Sequence, residues 1–136
     1  MEIRFWPPEN SQDVSASVVA KVLQRIQSRD PELWDQARER LSEAERPEVD
    51  LATFERRGWV ERMPHTNCAL YEMKIPQQRK KGVLRIYFCC DPSIRNCIWM
   101  LEAEHKVGKG EKEHRSIVGR ADERCCSIRS MKRGRQ

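Results

Sequence analysis

The spacing of apolar residues in the first half of the chain is helical. A short β-prone stretch, residues 3–6, precedes a run in which apolar side chains recur every three to four positions over residues 14–26. Asp13 stands where a helix N-cap is expected. The pair Asp30-Pro31 then predicts a new helix start, because aspartate caps a helix well and proline fits its first turn.

Two further helices are predicted before the pattern changes. An apolar stripe beginning at Leu33 continues to Leu41 and stops before Pro47. Residues 50–57 form a short amphipathic segment, and Gly58 is placed to end it.

From residue 69 the apolar period becomes two, which is typical of strands. Three strands are predicted, over residues 69–75, 83–90 and 97–103. In the first two, apolar residues alternate with polar ones, so Lys74 and Arg85 are expected on the face opposite the core.

This order of elements predicts an α+β fold. We expect two to three N-terminal helices packed on one face of a small antiparallel sheet, followed by a C-terminal helix over residues 112 to about 129. A length of 136 residues suits a single domain, which we place over residues 1–128 with a basic tail at 129–136.

Composition predicts a soluble, cytoplasmic protein without a cofactor. No apolar run approaches the 18 or so residues of a membrane span, and the first residues lack the pattern of a secretory signal. The six cysteines show no C-x-x-C spacing, so free thiols are expected and a metal site is not. A metal site containing His65, Cys68 and His105 is the alternative that remains open.

The charge is distributed unevenly along the chain. The net charge is +5 overall, but residues 1–73 carry −4, residues 74–95 carry +5 and residues 105–136 carry +6. An acidic first half and a basic second half indicate a surface for a polyanion in the second half. The alternative for the last residues is a solvated basic end.

Three segments of the second half follow one another in a recognisable order. They are Leu70-Tyr71-Glu72-Met73-Lys74-Ile75, then Leu84-Arg85-Ile86-Tyr87-Phe88, then Trp99-Met100-Leu101 leading into His105-Lys106 and Lys109. Together they resemble the RelE/HigB/ParE superfamily of toxins, and most of all its phage-derived HigB-like branch. The resemblance covers roughly residues 2–128.

The resemblance implies a toxin of a type II toxin–antitoxin system with a RelE-like fold. The expected activity is that of a ribosome-dependent mRNA endoribonuclease (an mRNA interferase) that inhibits translation and growth in the cytoplasm. Expected partners are a cognate antitoxin of the helix-turn-helix type and mRNA on the ribosome, with no membrane and no small-molecule cofactor. A ParE-like gyrase poison and a non-catalytic RelE-fold binding module are the alternatives.

The resemblance also implies a site on the sheet. Arg85 would bind the phosphate, Lys74 would act as base if its pKa were lowered, and His105 would serve as acid or base. Tyr87 would stack on a nucleobase. The candidate catalytic residues are Lys74, Arg85, His105 and Lys106, and the candidate RNA-binding residues are Arg79, Lys80, Lys81, Tyr87 and Lys109.

Each of these residues also has a structural interpretation. Arg85 lies inside an apolar strand and is as compatible with an ion pair to Glu72 or Glu102 as with a phosphate contact. Lys74 could be solvated or paired, and His105 and His114 are each expected at the surface.

Overall fold

The chain folds into one mixed sheet with helices on both faces. The structure is a computed structural model, and it describes residues 1–10, 14–76, 83–106 and 111–134. The strands are β1 (Glu2–Phe5), β2 (Val60–Arg62), β3 (Leu70–Pro76), β4 (Val83–Cys90) and β5 (Cys97–Lys106). The α-helices of these ranges are α1 (Val18–Arg29), α2 (Pro31–Ala44), α3 (Leu51–Arg56) and α4 (Glu111–Gly134).

The five strands lie in the order β1-β5-β4-β3-β2. β1 runs parallel to β5, and the other neighbours are antiparallel, so the sheet is mixed where an antiparallel one was predicted. The α+β class and the C-terminal helix are confirmed. The edge strand β2 was not predicted, since it has three residues and only Val60 is buried.

Local capping explains where the first helices begin. Ser17 caps α1, because its side-chain oxygen accepts a hydrogen bond from the Ala20 amide at 2.9 Å. The expected cap, Asp13, lies outside the described residues. Asp30 caps α2 as predicted, because its carboxylate accepts from the Leu33 amide at 3.2 Å.

The sheet separates two hydrophobic cores. One lies between the sheet and the N-terminal helices and includes Ile26, Leu33 and Ile86. The other lies under α4 and includes Trp99 and Ile128. α4 therefore forms a third layer. Among the helices of the described ranges, none has the length and apolar character needed to cross a bilayer.

A β-bulge interrupts the pairing of β4 with β5. Tyr87 is opposite Glu102 while the next residue, Phe88, is opposite Met100, so Leu101 is an extra residue in β5. Both Leu101 and Glu102 lie on the α4 face. From Glu102 to His105, the residues of β5 consequently lie on the face opposite to the one that simple alternation along the strand predicts.

Two of the six cysteines are joined. A disulfide links Cys68, in the loop before β3, to Cys126 in α4. The expectation of free thiols is therefore wrong for this pair. It is confirmed for the four others, of which Cys90 is exposed and Cys89, Cys97 and Cys125 are buried.

Candidate active site

A buried carboxylate holds two of the predicted site residues together. Arg85 Nη1 donates to Glu72 Oε2 at 2.8 Å, and Lys74 Nζ lies 3.3 Å from Glu72 Oε1. The Glu72 side chain is only 1% exposed, whereas those of Arg85 and Lys74 are 21% and 43% exposed. Because burying a lone carboxylate is costly, Glu72 depends on these cations. The structural alternative for Arg85, an ion pair with Glu72, is confirmed.

Lys74 is held in its charged form. Its ammonium also donates to Glu61 Oε1 on β2 at 3.1 Å. The hydrogen bond to Glu61, reinforced by Glu72 and opposed by partial burial, raises the pKa of Lys74. A general base near neutral pH requires the opposite shift, so Lys74 is suited to binding negative charge.

Next to this ion pair lies a second buried carboxylate with a histidine. Glu104 Oε1 accepts from the Tyr87 hydroxyl at 2.7 Å, and His114 Nδ1 on α4 lies 2.5 Å from the same oxygen. Burial, together with the hydrogen bond to Glu104, raises the pKa of Tyr87, which therefore remains a neutral phenol. Its ring is fully buried and is not open to a nucleobase in this structure.

The β-bulge decides which residues of β5 join this site. Glu104 is directly opposite Arg85, whereas His105 is opposite Leu84, a residue of the core under the N-terminal helices. His105 therefore does not share the sheet face of Arg85, and its catalytic role stays a prediction. Lys106 is the last residue of β5, opposite Val83.

Four of the predicted RNA-binding residues are not described by the structure. They are Arg79, Lys80, Lys81 and Lys109, all in the segments that join the strands and α4. Their role stays a prediction.

A groove of about 480 Å³ borders the site along the second half of β5. It lies between α1 and α4, where β1 no longer covers β5, since their pairing ends at Met100. Glu104 and His105 lie in its wall, and four arginines line it: Arg25, Arg29, Arg120 and Arg124.

The arginines of the two helices differ in their contacts. Arg124 donates to Glu102 at 2.7 Å and to the Leu101 carbonyl at 2.7 Å, and Arg120 Nε lies 3.4 Å from Glu102. Arg25 and Arg29 on α1 are exposed. The α1 side of the groove thus presents guanidinium groups to solvent.

Two buried polar atoms at this site lack a hydrogen-bond partner among the described residues. They are Arg85 Nε, a donor, and Glu104 Oε2, an acceptor. Buried polar atoms are rarely left unsatisfied, and exceptions often mark a functional position. A ligand that carries both an anionic oxygen and a hydroxyl group would suit this pair.

Glu72, Glu104 and His114 were missed as site residues. The sequence did indicate that Glu102 and Glu104 need partners, because burying two acidic residues within an otherwise apolar strand is unfavourable unless each is paired. Nothing in the sequence indicated a site role for His114, since its partner Glu104 is ten positions away on another element.

Comparison with known proteins leaves the family open. No protein-family model, no curated protein and no solved structure matches the chain. The RelE/HigB-like identity stays a prediction from the sequence, and the α+β architecture is what the structure adds.

Proposed function

We propose that the protein is a toxin of a type II toxin–antitoxin system that cleaves mRNA on the ribosome. The observation that carries this proposal is the Glu104–His114 pair, which lies beside the cationic Arg85 on one sheet face. An acid–base pair next to a fixed guanidinium is what RNA cleavage through the 2′-hydroxyl requires.

The reaction uses the RNA's own hydroxyl as nucleophile. His114, oriented through Nδ1 by Glu104, takes the 2′-hydroxyl proton at its other ring nitrogen. The 2′-oxygen then attacks the adjacent phosphorus and the bond to the 5′-oxygen breaks, leaving a cyclic phosphate. The same imidazole returns the proton to the departing 5′-oxygen.

Charge on the reacting phosphate is balanced by the two cations of the site. Arg85 is partly exposed, and its pKa is raised because the ion pair with Glu72 outweighs partial burial. Lys74 is likewise kept protonated. Both can therefore bind a phosphate without a change of protonation state.

The groove along β5 suits the RNA strand on either side of the cut. Arg25 and Arg29 would bind flanking phosphates, and Glu104 in the groove wall connects it to the acid–base pair. A small domain with few such groups would depend on the ribosome to orient its substrate. An antitoxin with an acidic segment would cover the same arginines.

A non-catalytic binding module is the second candidate. It is favoured by the observation that Glu72 already pairs with both Arg85 and Lys74. In that case the site would be a structural network, and the protein would act through contact with an antitoxin or a nucleic acid.

A translation assay with a reporter mRNA distinguishes the candidates. We expect expression of the chain to arrest growth, and the purified protein to cut the message efficiently when ribosomes are present. Inhibited translation with an intact message would favour the binding module. Normal translation with stalled DNA replication would replace both with the gyrase-poison alternative.

A further inference from the structure

Three potential metal ligands meet on the α4 side of the sheet, away from the candidate active site. The ligand atoms of Cys68, Asp122 and Cys126 all lie within 4.8 Å of one another. Asp122 and Cys126 are four positions apart, so they share one face of α4. Cys68 reaches them from the loop before β3, and its sulfur forms the disulfide with Cys126.

Asp122 is the unexpected member of this group. It is 8% exposed, and its two oxygens accept from the main-chain amides of Asn67 at 2.8 Å and Cys68 at 3.0 Å. Within the described ranges, no lysine or arginine forms an ion pair with it. A carboxylate has about four acceptor positions, so two hydrogen bonds leave it able to bind a cation as well.

We propose that, when the disulfide is reduced, Cys68, Cys126 and Asp122 bind one Zn²⁺ ion. Zinc favours thiolate and carboxylate ligands in tetrahedral geometry, with Zn–S distances of about 2.3 Å, which places ligand atoms about 3.8 Å apart. An Asp122 oxygen already lies within 4.8 Å of both sulfurs, and the sulfurs, bonded to each other in the disulfide, move apart toward the zinc-ligand distance when it is reduced. The amide hydrogen bonds to Asp122 hold the loop on α4. The fourth position is filled by water.

The disulfide and the metal site exclude one another. A dithiol reductant delivers two electrons and two protons to the sulfurs, becomes a disulfide itself, and leaves two thiols. Zn²⁺ then displaces the two thiol protons and binds the thiolates. The ion thereby restores the connection between loop and helix that reduction removes. Among the described residues this group includes neither His65 nor His105, the histidines of the metal site considered from the sequence.

Cobalt substitution tests the site on the full-length chain. We expect the reduced, metal-free protein to bind one Co²⁺ and to develop thiolate-to-cobalt charge-transfer absorption with the visible bands of a tetrahedral ion. Addition of Zn²⁺ should displace the Co²⁺. The oxidised protein should show no such spectrum. A reduced protein without charge-transfer absorption would overturn the proposal and leave the disulfide as a purely structural link.

Variants locate the ligands. Under reducing conditions the wild type has no disulfide either, so Cys68→Ser can be compared with it directly. We expect Cys68→Ser to weaken Co²⁺ binding at least tenfold and to lower the charge-transfer intensity, and Asp122→Asn to weaken binding while that absorption is retained. Cys90→Ser, at the exposed free thiol, is the matched control and should bind as the wild type does.

Circular dichroism checks that each variant is folded, and Cys126→Ser replaces Cys68→Ser if the latter is not. Wild-type affinity in whichever of these two serine variants is folded would overturn the assignment, as would loss of binding in Cys90→Ser.

Discussion

Arg85 and Glu72 lie on neighbouring strands, diagonally across the sheet, and form an ion pair at 2.8 Å. The glutamate is almost completely buried, whereas about a fifth of the arginine side chain reaches solvent. Arg85 therefore has a structural partner on one side and an open side toward any ligand. A loss of activity on replacing Arg85 would not by itself prove a catalytic role.

Replacing Arg85 with alanine should destabilise the fold. Glu72 would keep only the contact to Lys74, so we expect unfolding by urea to show a loss of about 1–3 kcal/mol near neutral pH. Lys74→Ala, at a more exposed cation, should lose at most about 1 kcal/mol. The double variant Arg85→Ala/Glu72→Gln should lose less unfolding free energy than the sum of the losses in Arg85→Ala and in Glu72→Gln. An unfolding midpoint unchanged in Arg85→Ala would contradict the structural role of the pair.

His114 lies on α4 beside Glu104, whereas His105 lies on β5 opposite Leu84. The two histidines therefore provide a paired test of the proposed chemistry. His114→Ala should lower ribosome-dependent mRNA cleavage at least about a hundredfold, because it removes the proton-transferring group. His105→Ala should lower cleavage much less, since His105 lines the groove but is opposite Leu84 and not Arg85. The measurement is the rate of reporter cleavage, with circular dichroism to confirm folding. Cleavage by His114→Ala at the wild-type rate would remove His114 from the mechanism.

Asp91 should make stability depend on pH in the acidic range. Burial acts to raise its pKa, but hydrogen bonds from Trp99 at 2.8 Å and from the Ser93 and Ile94 amides outweigh burial and lower the pKa to about 2. Because the folded pKa lies below the unfolded value of 3.8, the charged form stabilises the fold above about pH 4, by about 2 kcal/mol. This contribution is lost as the pH falls from about 4 to about 2.

The comparison of wild type with Asp91→Asn measures this effect. The difference in unfolding free energy should be largest near neutral pH and should shrink toward pH 2. Asp35→Asn, at an exposed carboxylate, is the control and should show little difference at either pH. A difference in unfolding free energy between wild type and Asp91→Asn that does not change with pH would show that the Asp91 carboxylate charge does not stabilise the fold.

The Cys68–Cys126 disulfide should stabilise the oxidised chain. It closes a loop with a sequence separation of 58 residues, so Cys126→Ala should lose about 2–4 kcal/mol. A dithiol reductant in the presence of a chelator should lower the stability of the wild type and leave that of Cys126→Ala nearly unchanged. Cys90→Ala should respond to the reductant as the wild type does. Equal sensitivity of wild type and Cys126→Ala would show that this bond contributes nothing.

Local patterns were enough to predict most of the elements. The start of α2 depends on Asp30 and Pro31, whose effects act within one turn, and the faces of β3 and β4 follow from strict alternation. Hence the sequence placed Lys74 and Arg85 on one face, and the structure pairs them directly across the two strands. Glu72 could be named as a possible partner of Arg85 from the same alternation.

The composition of the site was decided by tertiary structure. The sequence by itself determined the α+β class and the polar face of β3 and β4, because periodicity and capping are local. The extra residue Leu101 belongs to the pairing of β5 with β4 and lies in the core under α4, both of which involve residues distant in sequence. That single residue exchanges the two faces of β5, bringing Glu104 opposite Arg85 and turning His105 away. The contact between Glu104 and His114 then depends on where α4 packs, which no local pattern specifies.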